Sequence, residues 1–143
     1  MRDARVDVAR ARTLERGGRL DQGAARSDEI VDEQAGLALH LAEELIRRGH
    51  RVRVLDSLIT GKRRNLGHVH GVEFLHGDVA DLAACRRAVE GVDYVLHQAA
   101  IPSVPRSVKD PISSNSANID GSLNMLVAAR DAGVRRLVYA GSS

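Results

Sequence analysis

The residues best suited to chemistry stand where short β-rich runs end. Asp56 closes RVRVLD, 20 residues after Gly36. A carboxylate at the carboxyl end of a strand can accept hydrogen bonds from both hydroxyls of an adenosine ribose, and it repels a 2′-phosphate. The plainer alternative is a turn aspartate that caps the next loop. The following Ser57-Leu58-Ile59-Thr60-Gly61-Lys62 either wraps the adenine side or simply connects two strands. Asp78, in GDVAD, follows the next run and can accept from an adenine amino group or serve a turn. His97-Gln98-Ala99-Ala100 ends the third run. Its two alanines allow close backbone approach to a flat ligand, with Gln98 as a polar edge, or they merely permit tight helix–sheet packing. His97 titrates in a useful range, but in VLH it is expected to complete the strand or hydrogen-bond locally. Together at successive strand ends these signals are stronger than any one of them.

The elements that must hold them alternate. Leu37, Leu41 and Leu45 recur every fourth residue with Ala38 and Ala42 beside them, which predicts a helix over about 36–48 with one apolar face. Arg47 and Arg48 suit its negative end, and Gly49 can take the left-handed cap. Strands are predicted at 51–56, 72–75, 92–97 and 134–140. Helices are predicted at 81–90, with Asp81 as N-cap, and at about 113–132, ended by Gly133. Strand alternating with helix means a parallel sheet with helices on both faces, an α/β fold.

Residues 1–35 read differently. They hold seven arginines and eight acids but only six large aliphatics, in no convincing period. This stretch is expected to be an atypical, poorly packed segment, and residues 1–29 to lack a buried central strand of normal length. Ser27–Val31 is where a first strand would fall, although Asp28-Glu29 suits a doubly buried parallel strand badly.

Composition narrows the function classes. The 143 residues suffice for one domain. Basic and acidic residues number 21 and 19, a formal net charge of +2, and the pI is near 9.1. Arginines supply 19 of the cations, scattered in ones and twos, and aromatics make up 2%. That leaves neither a basic stripe nor a stacking platform, so nucleic acid is not the expected partner. No apolar run reaches the length of a membrane span. The single Cys85 builds neither a disulfide framework nor, alone, a metal site. A reducing cytoplasm is the default compartment.

From about Gly36 to Ser143 the chain resembles the extended short-chain dehydrogenase/reductase family, specifically its NAD-dependent sugar-nucleotide epimerases and dehydratases. The segments that carry the likeness are HLAEELIRRGHRVRVLDSLITGKRRNL, VEFLHGDVADL, VDYVLHQAAIPSVPRSVKDP and NIDGSLNMLVAARDAGVRRLVYAGSS. The HQAA…SVPRS stretch is most similar to UDP-sugar 4-epimerases. The resemblance implies a Rossmann-type domain, incomplete here, with NAD as cofactor, a UDP-sugar as substrate and the family's homodimeric assembly. It places Asp56 at the adenosine ribose, with Ser57, Leu58, Thr60 and Gly61 beside it, and Asp78 and Val79 flanking adenine. Gln98, Ala99 and Ala100 would line the nicotinamide ribose and pyrophosphate, and Ala140 would be a further cofactor contact. Asn118 would fix the chain beneath the cofactor. Ser103 and Arg106 would border the sugar nucleotide, and Ser142 would hydrogen-bond the reacting hydroxyl.

Two family features are not met. The glycine-rich turn TGGAGFIGSH aligns without gaps so that Asp32, Ala35 and Ala38 fall on its three glycines. Their Cβ atoms crowd a pyrophosphate, and the Asp32 carboxylate would face it. The Tyr-x-x-x-Lys motif is also missing, since Gln98 and Ser143 stand four residues after Tyr94 and Tyr139. The expectation is a partial NAD-binding domain over 36–143, without the family's C-terminal substrate domain and inactive by itself. A dehydratase or reductase of the same family, and a non-catalytic NAD-binding or dimerising module, are the alternatives.

Overall fold

The computed structural model describes residues 5–10, 33–58, 70–101 and 103–141. Five parallel strands form one sheet: β1 (Arg5–Arg10), β2 (Arg51–Asp56), β3 (Val72–His76), β4 (Tyr94–His97) and β5 (Arg136–Tyr139). Their order is β3-β2-β1-β4-β5. The chain therefore reverses its direction of winding at β1, which makes the crevice beyond the carboxyl ends of β1 and β4 the place for a ligand.

The middle of this sheet corrects the sequence reading. Arg5–Arg10 pairs on one edge with β2, Arg10 against Asp56, and on the other with β4, Ala9 against His97. A central strand thus exists within residues 1–29, at Arg5–Arg10; Ser27–Val31, the stretch expected to hold a first strand, lies outside the described residues. The RVDVAR segment alternates β-branched valines with polar residues, and pairing along both edges satisfies its backbone groups.

Helices cover both faces. On one, α1 (Glu33–Arg47) packs Ala38 and Ala42 on Val52 and Val54 of β2, with Leu45, Ile46, Val72 and Phe74 around them. The predicted apolar face is the one in contact, with the alanines buried because their small side chains let the helix approach the sheet and Leu45 packed beside them. The helix ends in paired bonds, His50 N–H to Leu45 O and Gly49 N–H to Ile46 O, which require the left-handed φ of +85° that Gly49 adopts.

On the other face lie α2 (Leu82–Val89) and α5 (Gly121–Asp131). Cys85, Ala88 and Val89 pack with Met125 and Ala128 over Leu55 and Val95. Asp81 caps α2 as predicted, its Oδ1 accepting from Ala83 N–H at 2.9 Å.

The predicted helix over 113–132 is broken. α3 (Val104–Lys109) precedes it, α4 (Pro111–Asn115) starts it under an Asp110 cap, and a π-helical turn, Ser116–Asp120, separates α4 from α5. There Gly121 N–H reaches back five residues to Ser116 O. Strand β4 begins at Tyr94 rather than residue 92, since Val92 N–H is taken by Val89 O in the preceding turn.

Candidate functional site

Every described residue that the resemblance places at the cofactor or the sugar nucleotide lies at or beyond the carboxyl ends of the strands, or on the helices that follow β4. At the end of β2, Asp56 is buried and its Oδ1 accepts from Leu58 N–H at 2.8 Å. This two-residue turn holds Leu58 at a φ of +54°, in the left-handed region that side chains with a Cβ avoid. The strand ends are tied together. Gly77 N–H donates to Asp56 O at 3.1 Å, and His76 Nε2 contacts Ser57 O at 3.2 Å. Ser57 Oγ is buried and has no hydrogen-bond partner among the described residues. Thr60 and Gly61 lie outside the described residues.

After β3, Asp78 turns the chain by accepting from Ala80 N–H at 3.0 Å, and Val79 is buried behind it. Asn124 on α5 donates through Nδ2 to Val79 O at 3.1 Å and Ala80 O at 2.9 Å, which fixes this loop against the helix. Asn124 carried no signal in the sequence, because its partners stand about 45 residues away.

After β4, Ala99 is buried while Gln98 and Ala100 are half-buried. The segment is gripped one residue later. Asn118, in the π-helical turn, accepts from Ile101 N–H through Oδ1 at 2.6 Å and donates through Nδ2 to Ile101 O at 3.2 Å. Both peptide groups of Ile101 are thereby satisfied by one carboxamide.

Beneath this grip lies His97, 1% exposed, with Nε2 3.0 Å from Ser122 Oγ. Ser122 Oγ in turn donates to Asn118 O at 2.6 Å. Burial pushes the His97 pKa down to about 4, so the ring is neutral near pH 7. His97 completes β4, as expected for VLH, but its side-chain bond reaches a partner 25 residues away rather than a local one. Ser122 was not singled out, although its place four residues after Asn118 is the spacing of one helical turn.

Ala140 joins the same edge, its N–H donating to His97 O at 3.0 Å. Ser103 begins α3 without a side-chain cap bond, and Arg106 O accepts from Asp110 N–H at 2.7 Å. Ser142 lies outside the described residues. A cavity of about 330 Å³ between the C-terminal ends of α2 and α5, lined by Arg86, Arg87 and Asp131 among others, is at the opposite end of the sheet. Among the described residues no helix is long and apolar enough to cross a membrane.

A parallel sheet in this order, with an aspartate ending β2 and an asparagine-held segment after β4, defines a dinucleotide-type Rossmann fold. The sequence model of the NAD dependent epimerase/dehydratase family matches residues 37–143, and the chain belongs to that family. It is 36% identical to a UDP-glucose 4-epimerase of Lactobacillus helveticus over 116 residues, 80% of this chain and 34% of that one. Among solved structures it is similar to the Thermus thermophilus UDP-glucose 4-epimerase in complex with NAD, at 35% identity and a TM-score of 0.71, covering 96% of this chain and 37% of that one. It is also similar to a UDP-N-acetylglucosamine 4-epimerase from Methanobrevibacter ruminantium, at 27% identity and a TM-score of 0.73, covering 100% of this chain and 39% of that one. The chain thus spans about a third to two fifths of the length of these three relatives.

Proposed function

We propose that residues 36–143 form part of an NAD-binding domain whose family reaction is the C4 epimerisation of a UDP-sugar. The carrying observation is Asp56, buried at the end of β2, one strand from the sheet's switch point and held in orientation by Leu58 N–H. The adenosine half of the cofactor fits the residues present. A fixed carboxylate meets ribose hydroxyls, and the unpartnered Ser57 Oγ beside it is a further polar atom for that end. The pyrophosphate half is fitted less well, since Ala38 occupies the third glycine position with its Cβ in the core.

Asp78 and Val79 would flank the adenine, and Gln98 to Ala100, held through Ile101 by Asn118, would support the nicotinamide side. Bound NAD supplies the hydride acceptor for the sugar carbon. Ser103 and Arg106 would border the sugar nucleotide and Ser142 would orient its hydroxyl. These 143 residues hold no Tyr-x-x-x-Lys base, and a serine is a very poor base near neutral pH, so the chain by itself is expected to bind NAD weakly without turnover. Exposed Ile119, Leu123 and Leu126, at one helical spacing, suit the family's pairing with a second copy.

Calorimetric titration tests the reading. NAD is expected to bind at least about 10-fold more tightly than NADP, because Asp56 repels a 2′-phosphate, and Asp56→Ser is expected to erase the difference. Equal affinity of the unmodified chain for both would overturn it.

A further inference from the structure

Ser122 Oγ lies 2.6 Å from the Asn118 carbonyl oxygen. A carbonyl cannot donate, so the hydroxyl proton is committed to that contact. At 3.0 Å from the same hydroxyl oxygen, His97 Nε2 must therefore carry a proton and donate it to Ser122. The structure thus assigns the Nε2–H tautomer to His97, with the lone pair on Nδ1, which is buried without a partner among the described residues.

The Asn118 carbonyl sits inside the π-helical turn, where backbone donors reach back five residues instead of four, as Gly121 N–H does to Ser116 O. Ser122 Oγ supplies a donor from the position four residues on. We propose that His97 and Ser122 are a positioning pair that fixes the Asn118 main chain in this turn and, through it, the carboxamide grip on Ile101. The polar chain runs from the end of β4 through α5 and the π turn back to the segment that follows β4, closing on itself within five residues of His97. Its consequence for NAD rests on the cofactor reading above, because Gln98 to Ala100 are the residues enclosed by the loop.

The test uses the 143-residue chain and three readouts. Imidazole ¹⁵N spectra of the unmodified chain at neutral pH are expected to show the Nε2–H tautomer at His97, and an Nδ1–H tautomer overturns the proposal even if every variant fails to fold. Amide exchange at Ile101 is expected to accelerate about 10-fold in Ser122→Ala and in His97→Phe, which keeps a ring but no donor, as the loss of one buried hydrogen bond implies. Exchange at Val95 is expected to stay unchanged, and Ser122→Thr to restore slow exchange at Ile101. Equal acceleration at both amides, or none at Ile101, overturns it. In NAD titrations Ser122→Ala is expected to weaken binding several-fold and Ser122→Thr to recover it. Failure of the unmodified chain to bind NAD counts against the cofactor reading alone, because the first two readouts need no cofactor and then decide the pair.

Discussion

A Cβ placed on Gly121 would stand 2.7 Å from Cγ2 of Val79. The first residue of α5 is thus in contact with the loop that follows β3, and the contact explains why this helix position is glycine. Alanine would gain helix propensity, up to about 1 kcal/mol. The overlap costs about 1–3 kcal/mol, because Val79 is a stiff β-branched side chain that is 1% exposed and whose loop Asn124 holds in place. Gly121→Ala is therefore expected to destabilise by about 1–2 kcal/mol in urea unfolding. In a Val79→Ala background the same change is expected to be neutral or stabilising, and equal effects in both backgrounds would refute the contact.

Arg53 is a buried arginine on β2 that closes the end of α2. Its Nη1 donates to Ala88 O at 2.7 Å and Glu90 O at 2.9 Å, and its Nη2 pairs with Glu73 at 3.0 Å. Arg53→Met keeps the apolar stem but strands those carbonyls, at an expected cost of about 2–4 kcal/mol. Arg53→Lys keeps the charge with fewer donors and is expected to fall between. Chemical denaturation of the three proteins orders them, and a methionine variant as stable as the parent would show the bonds to be worth nothing.

The buried His97 makes stability depend on pH. Its folded pKa is about 4, against an ordinary value of 6.5, so the unfolded chain takes up a proton that the folded chain refuses. The contribution is complete above pH 6.5 and is lost as pH falls towards 4, reaching on the order of 3 kcal/mol. The stability advantage of the parent over His97→Gln should therefore shrink steadily from about pH 7 to about pH 4. A constant difference across that range would place the imidazole in contact with solvent.

Asp81 caps α2 through a single bond to Ala83 N–H at 2.9 Å. Asp81→Ala is expected to cost about 1 kcal/mol and Asp81→Ser much less, since serine presents an acceptor at the same place. Thermal unfolding midpoints of the two variants separate the cap from a general effect of losing charge.

The local grammar of this chain is legible in its residues alone. Four of the five strands, the cap at Asp81, the glycine stops at Gly49 and Gly133 and the gathering of Asp56, Asp78 and Gln98 at one edge follow from periodicity and from the rule that ligands meet parallel strands at their carboxyl ends. These features depend on residues a few positions apart. Which segment fills the middle of the sheet is a matter of long-range packing. Arg5–Arg10 alternates valines with polar residues over too few positions to mark it as the central strand, and it takes that place because β2 and β4 each offer an edge to pair with. The same holds for the break at Ser116–Asp120, which reads as continuous helix in sequence. The bonds from Asn118 to Ile101, Ser122 to His97 and Asn124 to Val79 join residues 17 to 45 positions apart. Side-chain polarity announces that such groups need partners, but which partner each one finds is set by how the helices land on the sheet.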